Sequence, residues 1–176
     1  MSSLYYYTRY TASFCYNQIM CMTKWYWYNL VWSNDDYHLY LGALPLKSKF
    51  RNDADTLRDL NVKSILSVVE AAEAGEGYIY SPITTWDIHY HLPIPDFTTI
   101  DVHQLHLGAD FIHEQLKVGS VYCHCRVGRS RSAAMVMAYL IKYQHFTAET
   151  AYIYLQSKRV QVQNQHADVL NLMSTY

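Results

Sequence analysis

One short run concentrates the residue types that carry chemistry: Val121-Tyr122-Cys123-His124-Cys125-Arg126-Val127-Gly128-Arg129-Ser130-Arg131-Ser132. A phosphate dianion needs many donors, and successive backbone N–H groups of a tight loop supply them when they turn inward. The run from Arg126 through Val127, Gly128, Arg129 and Ser130 to Arg131 and Ser132 is read as that phosphate-binding loop. Gly128 gives the loop its tight turn. Arg131 presents a planar fork that holds two phosphate oxygens at once. Cys125 is the nucleophile. A free thiol titrates near about 8.5, and a helix N-terminus with nearby cations brings it down to roughly 3.5–7.5. The thiolate then attacks phosphorus without a separate base, and Ser132 is placed to donate to the sulfur. His124 is read as bracing the loop rather than titrating in the reaction.

Cleaving a phosphate ester also needs a proton for the leaving oxygen. Asp96 lies in Pro95-Asp96-Phe97-Thr98-Thr99-Ile100-Asp101, between an expected strand and an expected helix. It is taken as the general acid. Asp101 competes for the role, but it stands where a helix N-cap belongs. Asp87 falls inside a strand pattern.

These residues need a scaffold, and the sequence describes one. Residues 38–41 read as a strand ending at Gly42. Ala54 and Leu57 recur with Phe50 at helical spacing, and 64–69 (SILSVV) is a buried-strand run. Trp86, Ile88, Tyr90 and Leu92 alternate with polar residues until Pro93 and Pro95 stop the strand. Val102, Leu105, Ala109, Ile112 and Leu116 mark one helical face. Residues 120–124 form a further strand, followed by an apolar helix over 132–143. A helix starting at Thr147 and a last one over 167–173 complete the pattern. Strands separated by helices predict an α/β fold, a parallel-rich sheet of four to five strands with helices on both faces.

At this point a resemblance is plain. His124-Cys125-x-x-Gly128-x-x-Arg131-Ser132 matches the signature of the Cys-x5-Arg protein-tyrosine and dual-specificity phosphatase superfamily. Leu41-Gly42-Ala43-Leu44-Pro45-Leu46, the Asp96 loop and the helix after Ser132 look most like the mitochondrial phosphatidylglycerophosphate phosphatases, protein-tyrosine-phosphatase-like enzymes of phospholipids. The resemblance implies hydrolysis of a phosphomonoester through phosphocysteine, on a phosphatidylglycerophosphate or phosphoinositide head group, with no cofactor. Arg126 and Arg129 fit an acidic head group. The alternative is a dual-specificity protein phosphatase acting on phosphotyrosine or phosphothreonine. A catalytically dead phosphate-binding module is the third reading, disfavoured because nucleophile, arginine and candidate acid are all present.

Composition narrows the partners. The 176 residues carry a formal net charge of −1, and the lack of a basic excess argues against a broad surface that would neutralise a run of nucleic-acid phosphates. The expected partner is an acidic phospholipid met by peripheral membrane contact. Residues 1–33 hold Arg9 and Lys24 as their charges and are rich in aromatics, but polar residues interrupt them. About 20 apolar residues are needed for a span. This segment is therefore read as a helix packed on the phosphatase domain (34–176), or as an interfacial anchor through Trp25, Trp27 and Trp32. Four sparse cysteines and a thiol nucleophile suit a reducing compartment, and the resemblance implies a membrane facing one: the mitochondrial inner membrane in a eukaryote, or a bacterial counterpart. The four cysteines have no zinc spacing. His89 with His91, and His103 with His106, share faces without a third ligand, so no metal site is expected. Cys123 shares a strand face with Cys125 and is read as a structural thiol. Gln161, Gln163 and Gln165 are read as a solvated loop.

Overall fold

The architecture follows from burying every residue of one strand, Ser120 to His124, in the middle of a sheet. It is seen in a computed structural model that describes residues 27–45, 47–48, 51–70 and 86–173, with the backbone alone at 47, 48 and 51. The five-stranded sheet runs β1 (Tyr28–Ser33), β2 (His38–Gly42), β7 (Ser120–His124), β5 (Val62–Ser67), β6 (Ile88–His91) in spatial order. β2, β7, β5 and β6 are parallel, and β1 closes one edge antiparallel to β2. Two-residue strands β3 (Lys47–Ser48) and β4 (Arg51–Asn52) pair separately.

Register decides which side chains share a layer. Leu41, Cys123 and Leu66 lie side by side across the sheet, as do Tyr40, Tyr122 and Ile65 on the opposite face. The first row joins the main core under α2 (Val102–Gln115), α3 (Arg131–Gln144), α4 (Ala148–Lys158) and α5 (Ala167–Met173). The second row packs with Leu57 of α1 (Asp53–Asp59), Trp27 and Trp86. Both faces of the parallel strands are thus covered, as such sheets require. α3 is buried on every side from Arg131 to Ile141.

The capping chemistry matches the residue types. Asp101 accepts from the Gln104 amide at 2.8 Å while the Gln104 side chain returns to the Asp101 amide, a reciprocal capping box. Thr147 and Thr150 form the same arrangement at the start of α4.

The aromatic-rich N-terminal stretch departs from expectation at its end. Residues 28–33 are not helix but the edge strand β1, with Val31 in the core. Trp32 stacks edge-to-face on Tyr139, Phe146 and Tyr154, and Trp27 on Tyr122. Strand pairing with β2 satisfies a backbone that a packed helix there would leave exposed along the sheet edge. Trp25 and the rest of 1–26 lie outside the described residues, as does Phe50. Among the described residues no helix is long and apolar enough to cross a membrane.

Candidate active site

The parallel strands end together: Gly42, His124 and Ser67 are neighbours in register, and His91 pairs with Ser67. Ligands of open α/β sheets sit beyond these carboxyl ends. The loop 125–130 leaves β7 there and enters α3 at Arg131.

The loop is held from outside, carbonyl by carbonyl. His124 Nδ1 reaches Cys125 O at 3.2 Å, and Leu44 N–H reaches Arg126 O at 3.2 Å. Arg159 donates to Val127 O from Nη2 at 3.3 Å and to Gly128 O from Nε at 2.8 Å. Gln163 N–H takes Arg129 O at 2.9 Å, and Ala134 N–H takes Ser130 O at 2.8 Å. A trans peptide points its N–H opposite its carbonyl. Fixing the carbonyls outward therefore aims the next residues' N–H groups inward. Gly128 has φ +66°, and a Cβ there would fall on the Gly42 carbonyl. Only glycine lets the loop lie against the end of β2 in this way.

Cys125 is 2% exposed. Its sulfur accepts from Gly128 N–H at 3.3 Å and from the Ser132 hydroxyl at 3.2 Å. Burial pushes the thiol up, but the Arg131 guanidinium, Ser132 and the Arg129 amide outweigh it and leave it below the ordinary value. Ser130, at the N-cap of α3, turns its hydroxyl to His166 Nε2 at 3.0 Å and makes no side-chain cap. The first amides of α3 are thereby left for an anion.

The bracing of His124 has a definite proton arrangement. Burial first, then His89, Arg131 and His91, brings this ring down to about 3, so it is neutral at ordinary pH. Its Nδ1–H donates to the Cys125 carbonyl, which only accepts. Nε2 must then accept from the Ser67 hydroxyl at 2.7 Å, leaving His89 Nε2 to donate to Ser67 at 2.9 Å. His91 goes to the Val69 carbonyl at 2.8 Å. Both strand histidines therefore serve the protein's own framework.

A cavity of about 230 Å³ is lined by Asp96, Phe97, Cys125, Val127, Arg129, Ser130, Arg131, Gln163 and Gln165. The strand expected to precede the acid loop is there, and the loop carries Asp96 to the cavity. Its carboxylate lies 3.4 Å from Arg131 Nε and 3.9 Å from Arg126 Nη1. Arg131, 2% exposed, also donates to Ile94 O at 2.8 Å. Asp101 is at the cap of α2 instead. Arg129 faces the cavity and donates from Nε to Gln161 O at 3.3 Å, whereas Arg126 is buried beside Asp96.

Some site residues were not legible beforehand. Gln163 and Gln165 line the cavity rather than lying in a merely solvated loop. Arg159 and His166 touch the phosphate loop from α4 and from the connection after it. An arginine at a helix end ordinarily reads as a surface charge, and His166 was one histidine among nine. Cys123 is fully buried with its thiol toward Ser132 O at 3.6 Å, and burial holds it well above the ordinary thiol value. It is inert.

This site on this sheet is that of a Cys-x5-Arg phosphatase fold. Residues 44–175 match the family described as dual specificity phosphatase, catalytic domain, and the chain belongs to that family. Within it, the chain is 30% identical over 134 residues to phosphatidylglycerophosphate phosphatase PTPMT2 of Arabidopsis thaliana, covering 74% of this chain and 56% of that one. It is 33% identical over 131 residues to phosphatidylglycerophosphatase and protein-tyrosine phosphatase 1 of Rattus norvegicus, covering 71% and 63%. The chain thus spans less than two thirds of the length of these relatives. The crystal structure of PTPMT1 in complex with PI(5)P superimposes with a TM-score of 0.71 at 27% identity, covering 85% of this chain and 96% of that one.

Proposed function

We propose that the protein removes the terminal phosphate from an acidic phospholipid head group by way of a phosphocysteine. The observation that carries the reading is the Cys125 sulfur held by Gly128 N–H and the Ser132 hydroxyl, with Arg131 and Asp96 on the same cavity. The Cys125 thiolate attacks phosphorus, the P–O bond to the leaving group breaks, and the Asp96 carboxyl gives its proton to the departing oxygen. An entering phosphate dianion competes for the arginine donors that Asp96 now meets, which leaves its carboxyl to face the departing oxygen. Water then attacks the phosphocysteine and gives its proton to Asp96. The thiolate leaves, supported by Ser132, with inorganic phosphate as product.

The lipid part of the reading is supported by the relatives named for phosphatidylglycerophosphate and by the neighbour solved with PI(5)P. Arg129 on the cavity wall supplies a cation beyond the one needed for a single phosphate. The enzyme then works at a membrane surface facing a reducing compartment, the mitochondrial inner membrane in a eukaryote. The deciding experiment is phosphate release from phosphatidylglycerophosphate, phosphoinositides and phosphopeptides in parallel, with Cys125→Ser as the inactive control. Turnover of lipids with Cys125→Ser at background is expected. Turnover of phosphotyrosine or phosphothreonine peptides alone would establish a protein phosphatase instead, and activity in Cys125→Ser would end the covalent mechanism.

A further inference from the structure

Among the described residues Arg159 heads the fully buried side chains by size, and it is charged. Burying a guanidinium is costly unless its donors are met. Its donors go to Gly128 O at 2.8 Å, Val127 O at 3.3 Å and Asn29 Oδ1 of β1 at 2.6 Å. The Gln161 amide, with its oxygen turned to the guanidinium, accepts from Nη2 at 2.8 Å.

We infer that Arg159 is a positioning residue of the phosphate loop, clamping two peptide planes so that their N–H groups face the Cys125 sulfur. The carbonyl of Val127 and the N–H of Gly128 belong to one peptide unit, as do the carbonyl of Gly128 and the N–H of Arg129. Arg159 holds the carbonyl end of both units. The other end of the first donates to the sulfur at 3.3 Å. The second is the Arg129 amide, which lowers the thiol. One guanidinium fork sets the spacing between two planes, and an ammonium cannot reproduce that. Asn29 fixes the other side of the fork to the edge strand. It lies before residue 44, where the family match begins, so the clamp is anchored on a strand outside the matched domain.

This inference rests on Cys125 being the nucleophile, but its test needs no substrate. The rate of iodoacetate alkylation of Cys125 is followed against pH in the full chain. The groups facing the sulfur are Arg131 and Ser132 of α3, Arg129 of the loop, Asp96 across the cavity, and Cys123 and the neutral His124 of β7. All of these are unchanged in the variants. Arg159→Met is expected to move the thiolate titration upward by about one pH unit and to weaken the protection of Cys125 from alkylation by inorganic phosphate about tenfold. Arg159→Lys, which keeps the charge without the fork, is expected between wild type and Arg159→Met. Millimolar methylguanidine added to Arg159→Ala is expected to bring the titration back part of the way. Should Arg159→Met fail to fold, Arg159→Lys and Asn29→Ala decide, since Asn29→Ala removes only the outer anchor. A titration at the wild-type position in every variant that folds overturns the inference. A wild-type chain that releases phosphate from nothing overturns the proposed function, and leaves the alkylation result to stand by itself.

Discussion

Two aspartates five residues apart in one loop have different neighbours, and the roles proposed for them differ accordingly. Asp96 meets Arg131 and Arg126 at the cavity, while Asp101 closes a capping box with Gln104. Asp96→Asn is therefore expected to slow alkyl phosphate esters by about 10²–10⁴-fold and activated aryl phosphates far less. Asp101→Ala is expected to leave that leaving-group dependence alone and to lower stability by about 1 kcal/mol. Comparing the two ester classes in each variant checks the assignment, and the opposite pattern would exchange the roles. The arginines divide in the same way. Arg129→Ala is expected to depress turnover of acidic phospholipids more than of a small aryl phosphate. Arg126→Ala, which removes a neighbour of Asp96, is expected to depress both. Equal losses for Arg129→Ala on both substrates would show that this residue serves the loop and not the head group.

At the scale of elements, the loop is a junction between β7 and α3 that rests on the end of β2. Leu44 N–H holds the Arg126 carbonyl, and the Tyr122 hydroxyl donates to Ala43 O. Gly128 lies at positive φ against Gly42. Gly128→Ala combines a conformation that alanine resists with a steric overlap against backbone, which cannot rotate away. A loss of more than about 1 kcal/mol is expected, together with loss of phosphate binding. Urea unfolding and phosphate inhibition measured on the same sample check both parts. Intact phosphate affinity in that variant would show that the loop has another way to turn.

The whole molecule responds to acid through histidines held below their ordinary value, His124 most strongly, with His89 and His166 shifted in the same direction. An unfolded histidine takes up a proton near pH 6.5. The folded ring, held at about 3 by burial first and by neighbouring His89, Arg131 and His91, does not. Below about 6.5 the unfolded chain gains a proton that the folded chain lacks, so stability falls with falling pH. The slope is up to roughly 1.4 kcal/mol per pH unit and levels off near the folded value. Urea midpoints at neutral and mildly acid pH should show this loss, and His124→Asn should reduce it while His89 and His166 keep their share. Truncation tests the N-terminal stretch at the same scale. Removing 1–33 takes away β1, its Val31 core contact and the Asn29 anchor, so loss of the cooperative fold is expected. Removing 1–26 leaves β1 and Trp27 in place, and there the fold should persist. Weaker sedimentation with anionic liposomes after that shorter cut would assign membrane contact to those residues, and unchanged sedimentation would remove it from them.

Local chemistry made the candidate loop and most of the scaffold readable in the chain itself. The spacing of Cys125, Gly128 and Arg131 works through atoms a few bonds apart. The α2 face, the Asp101 and Thr147 caps and the 167–173 helix rest on periodicity and capping, which are short-range too. Tertiary structure decided what depends on contacts between distant residues. It made residues 28–33 an edge strand, because β2 offered an unpaired edge that no local pattern reveals. It brought Gln163 and Gln165 to the cavity, and His166 to the Ser130 hydroxyl, by folding the chain after α4 back over α3. It buried Arg159 against the loop carbonyls, 31 residues away from Gly128 along the chain. A side chain's residue type states what it can donate; only the packed fold states which carbonyl receives it.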